Sequence, residues 1–371
     1  MSFPQRSSRR RPSPLYLLLF LVVALVLYLY QSGRLDWLGL PRAARVVTAP
    51  SGGWVQAYFT SPDYADAAPH QGGVDSLVAA DIAAAQKSVD VVSFEFNLPA
   101  ITQALIDAHQ RGVRVQLVLD DGNLQAEGMA QATEELDAAG IPIVYDQRKA
   151  FMHDKFVIVD QRILWVGSWN LTDSDTYRNN NNVLRIELPQ LIENYAREFE
   201  EMFVDRAFGP TSPADTPYPV LQLSDDSRVE NYFSPEEDAR AAIIAQLRQA
   251  KEEILFMAFS FTDDEIGRVL LEKAQEGVRV RGVFEKRQES EYSEYSLLHK
   301  AGLDVRLDGN PRTMHHKVFV IDGQVILTGS YNFTSNAAEN NDENVLVIDN
   351  TDLARSYQEE FDRVYQAAEQ E

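Results

Sequence analysis

Apolar residues recur along most of the chain in two patterns, one typical of helices and one typical of buried strands. Residues 74–88 and 99–111 place apolar side chains at helical spacing, and Gly112 ends the second stretch. Residues 89–96 and 113–119 are short stretches rich in Val, Leu and Phe, of the length that strands have. The alternation of helix and strand predicts a mixed α/β fold.

The same pattern returns later in the chain because the sequence contains an internal duplication. The segment 85–122 aligns with 250–287 without a gap, and a second ungapped alignment begins where His153 matches His315. The predicted order of helices and strands is repeated between residues 236 and 284. We therefore expect two tandem α/β sandwich units.

Each copy continues with a predicted hairpin, a strand and a long helix. In the first copy the hairpin strands are 152–159 and 163–169, the next strand is 183–187, and the helix is 190–206. The stretch 209–226 contains four prolines, which predicts an extended connector between the copies.

The N-terminal segment differs in composition from the rest of the chain. Four arginines precede an uninterrupted apolar run from Leu15 to Tyr30, a pattern typical of a signal peptide or a short membrane anchor. No convincing small-residue cleavage site follows the run, which favours an uncleaved anchor helix. Basic residues before a first span tend to stay in the cytoplasm, so we expect a single-pass protein with an extracytoplasmic catalytic part.

These patterns predict a domain organisation in four parts. The parts are the basic N-terminus with its membrane anchor at 1–47, the first repeat at 48–208, the proline-rich linker at 209–226 and the second repeat at 227–371.

Charge is distributed unevenly over the 371 residues, whose net charge is −22. The segment 1–47 contains seven arginines and one aspartate, so the remainder of the chain is even more acidic than the total indicates. Such an acidic body repels nucleic acid at long range, which weakens a nuclease function without excluding it. The chain has no cysteine, which excludes disulfides, thiolate nucleophiles and cysteine-ligated metals.

One polar motif occurs in both copies with identical spacing. In the first copy it consists of His153, Lys155, Asp160, Gly167, Ser168 and Asn170. In the second copy it consists of His315, Lys317, Asp322, Gly329, Ser330 and Asn332. Two matched sets with the same spacing argue against a chance occurrence. The His, Lys, Asp, Ser and Asn residues of both sets are therefore candidate site residues.

The hairpin pattern predicts which side chains of the motif lie together. If the hairpins turn through residues 161–162 and 323–324, Asp160 pairs with Ile163, and the His, Lys, Ser and Asn of each copy project from one face. Asp160 and Asp322 belong to the candidate catalytic motif, but they point away from that face. This direction favours a role in capping turns or holding the fold over direct catalysis.

The residue types suit the displacement of a phosphodiester. This reaction needs a nucleophile, a proton donor for the leaving oxygen and positive charge around the non-bridging oxygens. Histidine serves as nucleophile or acid because its reference pKa is about 6.5. Lysine supplies charge without a metal, and Ser and Asn supply directional hydrogen bonds. Since one copy provides one histidine and the reaction uses two, the duplication predicts a single site between the halves.

The motif resembles the HxKx4Dx6GSxN signature of the phospholipase D superfamily, present twice and covering roughly residues 54–369. The resemblance implies a pair of α/β domains related by pseudo-twofold symmetry, hydrolysis or transfer without a metal or other cofactor, and a phosphohistidine intermediate. By family analogy His153 is the nucleophile and His315 the general acid. The residues to which the resemblance assigns a role at the phosphate are His153, Lys155, Ser168, Asn170, His315, Lys317, Ser330 and Asn332.

The two copies differ at one position after the motif. Glu343 follows Asn332 in the second copy and resembles the downstream carboxylate that orients a histidine in the family, whereas the matching first-copy residue is Asn181. The two histidines are therefore expected to be supported unequally. Arg178 is a candidate contact for a head group, and segment 286–296 is either a solvated loop with a helix start or a lid.

Three functions fit the motif. The favoured one is a membrane-anchored phospholipase D that releases the head group of a membrane phospholipid and works as a monomer. The second is a nuclease of the same superfamily, which is disfavoured by the net charge. The third is a phosphatidyl transferase similar to cardiolipin synthase, which uses a lipid hydroxyl in place of water. A catalytically inactive binding module is disfavoured because neither copy has lost its His or Lys.

Overall fold

A computed structural model describes residues 47–49, 53–60, 70, 72–126 and 128–368. The strands of the first half are β1 (Val47–Ala49), β2 (Val55–Phe59), β3 (Ser88–Ser93), β4 (Arg114–Asp120), β5 (Ile143–Asp146), β6 (Phe156–Val159), β7 (Ile163–Gly167) and β8 (Asn182–Ile186). The helices of the first half are α1 (Val74–Ala84), α2 (Pro99–Gln110), α3 (Met129–Ala138), α4 (Asp173–Tyr177) and α5 (Pro189–Glu200).

The second half repeats this series of elements. Its strands are β9 (Val220–Gln222), β10 (Arg228–Ser234), β11 (Glu253–Ala258), β12 (Arg279–Phe284), β13 (Asp304–Leu307), β14 (Lys317–Ile321), β15 (Val325–Gly329) and β16 (Glu343–Asp349). Its helices are α6 (Ala239–Gln249), α7 (Asp264–Gln275), α8 (Glu294–Lys300), α9 (Ser335–Glu339) and α10 (Thr351–Ala367). A π-helical turn (Glu201–Asp205) and two 3-10 turns (Gly209–Thr211 and Lys286–Gln288) lie between these elements.

The two halves form two eight-stranded sheets with matching topology. The strand orders are β1-β2-β8-β7-β6-β3-β4-β5 and β13-β12-β11-β14-β15-β16-β10-β9, and the second order read backwards repeats the first. In each sheet three neighbouring strands run parallel, β3-β4-β5 and β11-β12-β13, while the motif hairpins are antiparallel. These two matching sheets confirm the predicted mixed α/β fold with two repeated units.

The buried side chains form three clusters, and the middle cluster is shared by both halves. Each half has one outer cluster, which lies between its sheet and the helices that precede its motif. These helices are α1–α3 in the first half and α6–α8 in the second. The middle cluster combines strand residues of both sheets with α5 and α10. Tyr195 and Tyr357, one from each of these two helices, are fully buried there. The halves are therefore joined by a continuous apolar core.

The local sequence explains where several of these elements begin. Every residue of β3 and β11 is buried, Asp90 and Glu253 included, so a short stretch rich in apolar residues was the correct signal for both central strands. Pro189 occupies the first turn of α5, where its missing N–H group is not needed. The side chain of Asp263 caps α7 by accepting hydrogen bonds from the N–H groups of Glu265 and Ile266.

The predicted hairpin register is wrong by one residue. Val159, and not Asp160, pairs with Ile163, and β14 pairs with β15 in the same way. Asp160 and Gln161 both adopt positive φ, at 54° and 55°, and the N–H of Arg162 donates to the carbonyl of Val159 at 2.9 Å. This tight turn leaves three residues outside the ladder instead of two, which shifts the pairing.

Several predicted boundaries also differ from the structure. The helix predicted to span 190–206 is α-helical only to Glu200 and continues as the π-helical turn. The helix predicted for 74–88 ends at Ala84, because Ala85 turns the chain into an extended conformation.

The predicted membrane anchor at Leu15–Tyr30 lies outside the described residues. Within the part of the chain that the structure describes, no helix is both long and apolar enough to span a bilayer. This finding contradicts the prediction of a single-pass, membrane-anchored protein with an extracytoplasmic catalytic part.

Candidate active site

Each motif histidine is held against the opposite half of the molecule by backbone hydrogen bonds. The N–H of His153 donates to the carbonyl of Asp342 at 2.9 Å, and the N–H of His315 donates to the carbonyl of Asn180 at 2.8 Å. These contacts form two isolated β-bridges, Met152 with Asp342 and Asn180 with Met314. Both histidines are therefore positioned at the seam between the repeats.

The imidazole rings also take their side-chain partners from the opposite half. Nδ1 of His153 lies 2.7 Å from Oε2 of Glu343, and Nδ1 of His315 lies 2.9 Å from Oδ1 of Asn181. Because both partners present an oxygen acceptor, Nδ1 of each ring is the protonated nitrogen. Nε2 of each ring is then the atom with the chemistry to attack phosphorus or to carry a transferable proton.

The two motif lysines bring positive charge into the same buried region. Nζ of Lys155 donates to the carbonyl of His153 at 2.6 Å, and Nζ of Lys317 donates to the carbonyl of His315 at 3.0 Å. Burial lowers the pKa of Lys155 to about 8. Burial and the charge of Lys155 together lower the pKa of Lys317 well below its usual value. An anion bound between them would stabilise both ammonium groups.

The motif serines support the partners of the histidines. Oγ of Ser168 donates to Oδ1 of Asn181 at 3.0 Å, and Oγ of Ser330 donates to Oε2 of Glu343 at 2.7 Å. Each serine thus holds the oxygen that accepts a hydrogen bond from the histidine of the other copy.

The motif asparagines retain unused hydrogen-bonding capacity. Oδ1 of Asn170 and Oδ1 of Asn332 are buried and have no hydrogen-bond partner within the described part of the chain. Buried amide oxygens are normally paired, and equivalent exceptions in both copies suit groups that bind a ligand.

The motif glycines are required by a close approach between strands. A Cβ added to Gly167 would lie 2.2 Å from the carbonyl oxygen of Asn182, and one added to Gly329 would lie 2.2 Å from that of Asn344. Gly329 also adopts φ +147°, a conformation that other residues rarely adopt. These contacts explain why Gly precedes Ser in both copies.

The motif aspartates lie in the framework around the site. The carboxylate of Asp160 accepts hydrogen bonds from the backbone N–H groups of residues 86–88, with distances of 2.6 to 3.1 Å. The carboxylate of Asp322 accepts from residues 251–253 in the same manner. Each aspartate thereby ties its hairpin turn to the chain that enters the central strand.

Three further residues near the motif were not singled out by sequence reasoning. Phe94 and Phe259 contact His153 and His315 edge to face, with ring centroids 4.8 and 4.6 Å apart. The rings also lie under the lysine ammonium groups, at 5.1 and 4.9 Å. The repeat alignment matched Phe94 with Phe259, and this match was the available signal. Phe151 is 48% exposed and lies 5.1 Å from the Phe94 ring.

The remaining sequence candidates lie around the site. Arg178 forms an ion pair with Asp173 at 3.5 Å. Segment 286–296 forms a 3-10 turn followed by the start of α8, with Tyr292 exposed on it. Within the described ranges, no cluster of three or more histidine and acidic side chains is placed to hold a metal ion.

The ionisation of the histidines and of Glu343 is dominated by burial. Burial raises the pKa of Glu343 to about 8, against the opposing charge of Lys155. Burial and the two lysines lower the pKa values of His153 and His315 well below the usual value. A bound phosphodiester adds a negative charge, which favours the protonated form of both rings.

Two matching domains and a histidine pair at their seam define the class of protein. Residues 78–203 and 243–365 both match the family model described as cardiolipin synthase, PLD-like domain. The chain therefore belongs to this family of the phospholipase D superfamily.

Individual relatives support the same assignment. The human mitochondrial cardiolipin hydrolase is 37% identical over 135 residues, which are 35% of this chain and 52% of the human protein. A phospholipase D of Rickettsia prowazekii is 31% identical over 160 residues, which are 43% of this chain and 78% of that protein. The chain spans only about half the length of the human cardiolipin hydrolase that it matches.

A solved structure matches most of the chain in fold. The phosphatidylserine synthase of Haemophilus influenzae superposes with a TM-score of 0.67 over 88% of this chain and 89% of its own, at 14% identity. This likeness concerns the arrangement of both halves together.

Proposed function

We propose that this protein hydrolyses phospholipid phosphodiesters to phosphatidic acid and a free head group through a phosphohistidine intermediate. The observation that carries the proposal is the pairing of His153 and His315 at the seam, each with Nδ1 bound to an acceptor from the other half. The arrangement supplies two Nε2 atoms for one substrate and two buried lysines for its charge.

The reaction then proceeds in two displacements. Nε2 of His153 attacks phosphorus, the bond from phosphorus to the head-group oxygen breaks, and His315 gives its Nε2 proton to that oxygen. In the second step His315 removes a proton from water, which attacks phosphorus and breaks the bond from phosphorus to nitrogen. Lys155 and Lys317 stabilise the charge on the non-bridging oxygens in both steps.

Unequal support favours His153 as the nucleophile. Its attack produces a positively charged phosphorylated ring, and Glu343 is a carboxylate at 2.7 Å that stabilises such a charge. His315 instead contacts the neutral amide oxygen of Asn181. A neutral partner stabilises a phosphorylated, positively charged ring less than a carboxylate does, which leaves His315 the role of general acid.

Charge and surface character support a lipid as the substrate. The net charge of −22 opposes long-range attraction of a nucleic acid. Phe151 and Phe94 form an aromatic pair beside His153, with Phe151 exposed to solvent. Such a pair suits the apolar part of a lipid. The relatives named as phospholipase D and cardiolipin hydrolase support the same substrate class.

Transfer to an alcohol is the second candidate function. The family model that matches both halves is described as a cardiolipin synthase, PLD-like domain. The chemistry differs only in the second step, in which a lipid hydroxyl replaces water. The histidines and lysines would keep the same roles.

One experiment tests the intermediate and the substrate together. The purified protein is incubated with phosphatidylcholine, phosphatidylglycerol, cardiolipin or single-stranded DNA, with and without glycerol as an acceptor, and quenched for mapping of phosphohistidine. We expect turnover of the lipids and a phosphohistidine at His153. Glycerol should change the product only if the protein is a transferase. Cleavage of DNA alone would refute the lipid substrate, and phosphate on His315 would reverse the two roles.

A further inference from the structure

A carboxylate occurs in both halves near the seam, but at different positions of the repeat. In the alignment that matches His153 with His315, Glu343 of the second half corresponds to Asn181 of the first. In the same alignment Asp175 of the first half corresponds to Ala337 of the second. The first half therefore lacks the acid at one position and has an extra acid at the other.

The backbone around the two positions is the same. Asp175 lies in α4, whose capping residue Thr172 accepts a hydrogen bond from the N–H of Asp175 at 3.2 Å. Ala337 lies in α9, whose capping residue Thr334 accepts from the N–H of Ala337 at 3.2 Å. The exchange therefore replaces a buried methyl group with a carboxylate and leaves the local fold unchanged.

The carboxylate of Asp175 is buried and directed toward the histidine of the other half. Its side chain is almost fully buried, and Oδ2 lies 3.5 Å from Nδ1 of His315. Oδ2 also accepts a hydrogen bond from the N–H of Asn170 at 2.8 Å, and Oδ1 accepts from Nδ2 of Asn179 at 2.6 Å. These donors hold the carboxylate in place beside the ring.

The charges around His315 explain what such a carboxylate does. Apart from burial, the groups that lower the pKa of His315 are Lys317, Lys155, His153 and His316. All four carry or can acquire positive charge, so they oppose a proton on Nε2. The direct partner of the ring, Asn181, contributes a dipole and no charge.

We propose that Asp175 is the positioning residue that keeps His315 protonated and oriented as the general acid, in place of the carboxylate that Asn181 lacks. This role rests on the proposed function. Glu343 touches His153 at 2.7 Å, whereas Asp175 acts on His315 from 3.5 Å beside a neutral partner. The negative charge of Asp175 favours a proton on Nε2 of His315, which the ring can then donate to the leaving oxygen.

The test compares two leaving groups on one lipid. Phosphatidylcholine releases an alcohol that needs a proton from the general acid, whereas phosphatidyl-p-nitrophenol releases a phenolate that does not. Formation of the phosphoenzyme is followed in the first turnover by rapid quench. We expect Asp175→Asn to slow this step about 10-fold for phosphatidylcholine and less than about 3-fold for the nitrophenyl ester, since general acids contribute about 10²- to 10⁴-fold.

Two further variants separate the proposed role from damage to the fold. Asp173→Asn makes the same charge change two residues earlier in α4 and should leave both rates within about 2-fold of the wild type, because this side chain is 38% exposed and pairs with Arg178. The double variant Asp175→Ala, Asn181→Glu gives the first half the arrangement of the second. We expect it to recover most of the rate that Asp175→Ala alone loses with phosphatidylcholine.

The outcomes distinguish the two levels of the proposal. Equal slowing of both substrates by Asp175→Asn, or no slowing of either, would overturn the role of Asp175 while leaving the phosphohistidine mechanism intact. A double variant that is folded by circular dichroism yet no faster than Asp175→Ala would do the same. A wild-type protein that forms no phosphoenzyme from either lipid would refute the proposed function itself.

Discussion

The contact between Glu343 and His153 leads to the sharpest prediction about turnover. Replacing Glu343 with Gln keeps an oxygen that can accept the Nδ1 proton but removes the negative charge at 2.7 Å from the ring. Ser330, which donates to the same oxygen as His153 at 2.7 Å, can still hold the amide oxygen in place. The change therefore isolates the charge from the geometry.

The expected loss follows from the strength of a buried hydrogen bond to a charged group. Such a bond contributes about 1.5–3 kcal/mol, whereas the neutral bond that Gln keeps contributes about 0.5–1.5 kcal/mol, so about 1–1.5 kcal/mol is lost. The positive charge on His153 develops as phosphorus is attacked, so most of this energy belongs to the transition state. We expect kcat to fall about 5- to 12-fold, since about 1.4 kcal/mol corresponds to a factor of ten in rate.

The pH dependence of kcat/KM provides a second readout of the same contact. Burial raises the pKa of Glu343 to about 8, so the carboxylate takes up a proton as the pH falls below that value. A protonated Glu343 no longer stabilises a positive ring. Wild-type kcat/KM should therefore fall with decreasing pH below about 8, and Glu343→Gln should lack this limb.

The assay measures the hydrolysis of a short-chain phosphatidylcholine between pH 5 and 9. Glu339→Gln makes the same change four residues earlier, on a side chain that is 57% exposed and paired with Arg240, and serves as the control. A Glu343→Gln variant with kcat within 3-fold of the wild type and an unchanged pH profile would refute this reasoning.

Three predictions concern stability. Gly329→Ala should lower the free energy of unfolding by about 2–4 kcal/mol in urea titration, because the new Cβ meets the carbonyl of Asn344 at 2.2 Å; a change under about 1 kcal/mol would contradict the clash. Asp160→Ala should lower the free energy of unfolding by about 1–2 kcal/mol and leave kcat within 3-fold of the wild type, since the Asp160 carboxylate binds backbone N–H groups outside the site. Lost turnover in a stable variant would instead place Asp160 in catalysis. Burial raises the pKa of Asp154 to about 7, so the stability of the wild type should decline by on the order of 2–4 kcal/mol as pH rises from about 4 to 7. Asp154→Asn should flatten this decline. A wild-type stability curve without the decline would argue against the raised pKa.

Much of the architecture was accessible from the sequence because it depends on local pattern and on duplication. The aligned strand segments β3 and β11 and the shared spacing of the two motifs indicated two similar units before any contact was known. The same spacing indicated that His153 and His315 serve one site. The hairpin register was not accessible, because it depends on the positive φ of Asp160 and Gln161.

The partners of the histidines were decided by tertiary structure. The sequence singled out Glu343, and it showed Asn181 as a missing acid, but it could not say which histidine either residue serves. The structure pairs Glu343 with the histidine of the first half, and Asn181 with the histidine of the second.

Asp175 illustrates the same limit. In the sequence it is one acid among many in a short polar helix, aligned with an alanine that gives no reason to notice it. Its carboxylate becomes relevant only because the other half of the molecule places His315 3.5 Å away. Repeats and motifs are visible in the order of residues along the chain. The charge around a buried group is the sum of the charges of side chains that only the folded chain brings together.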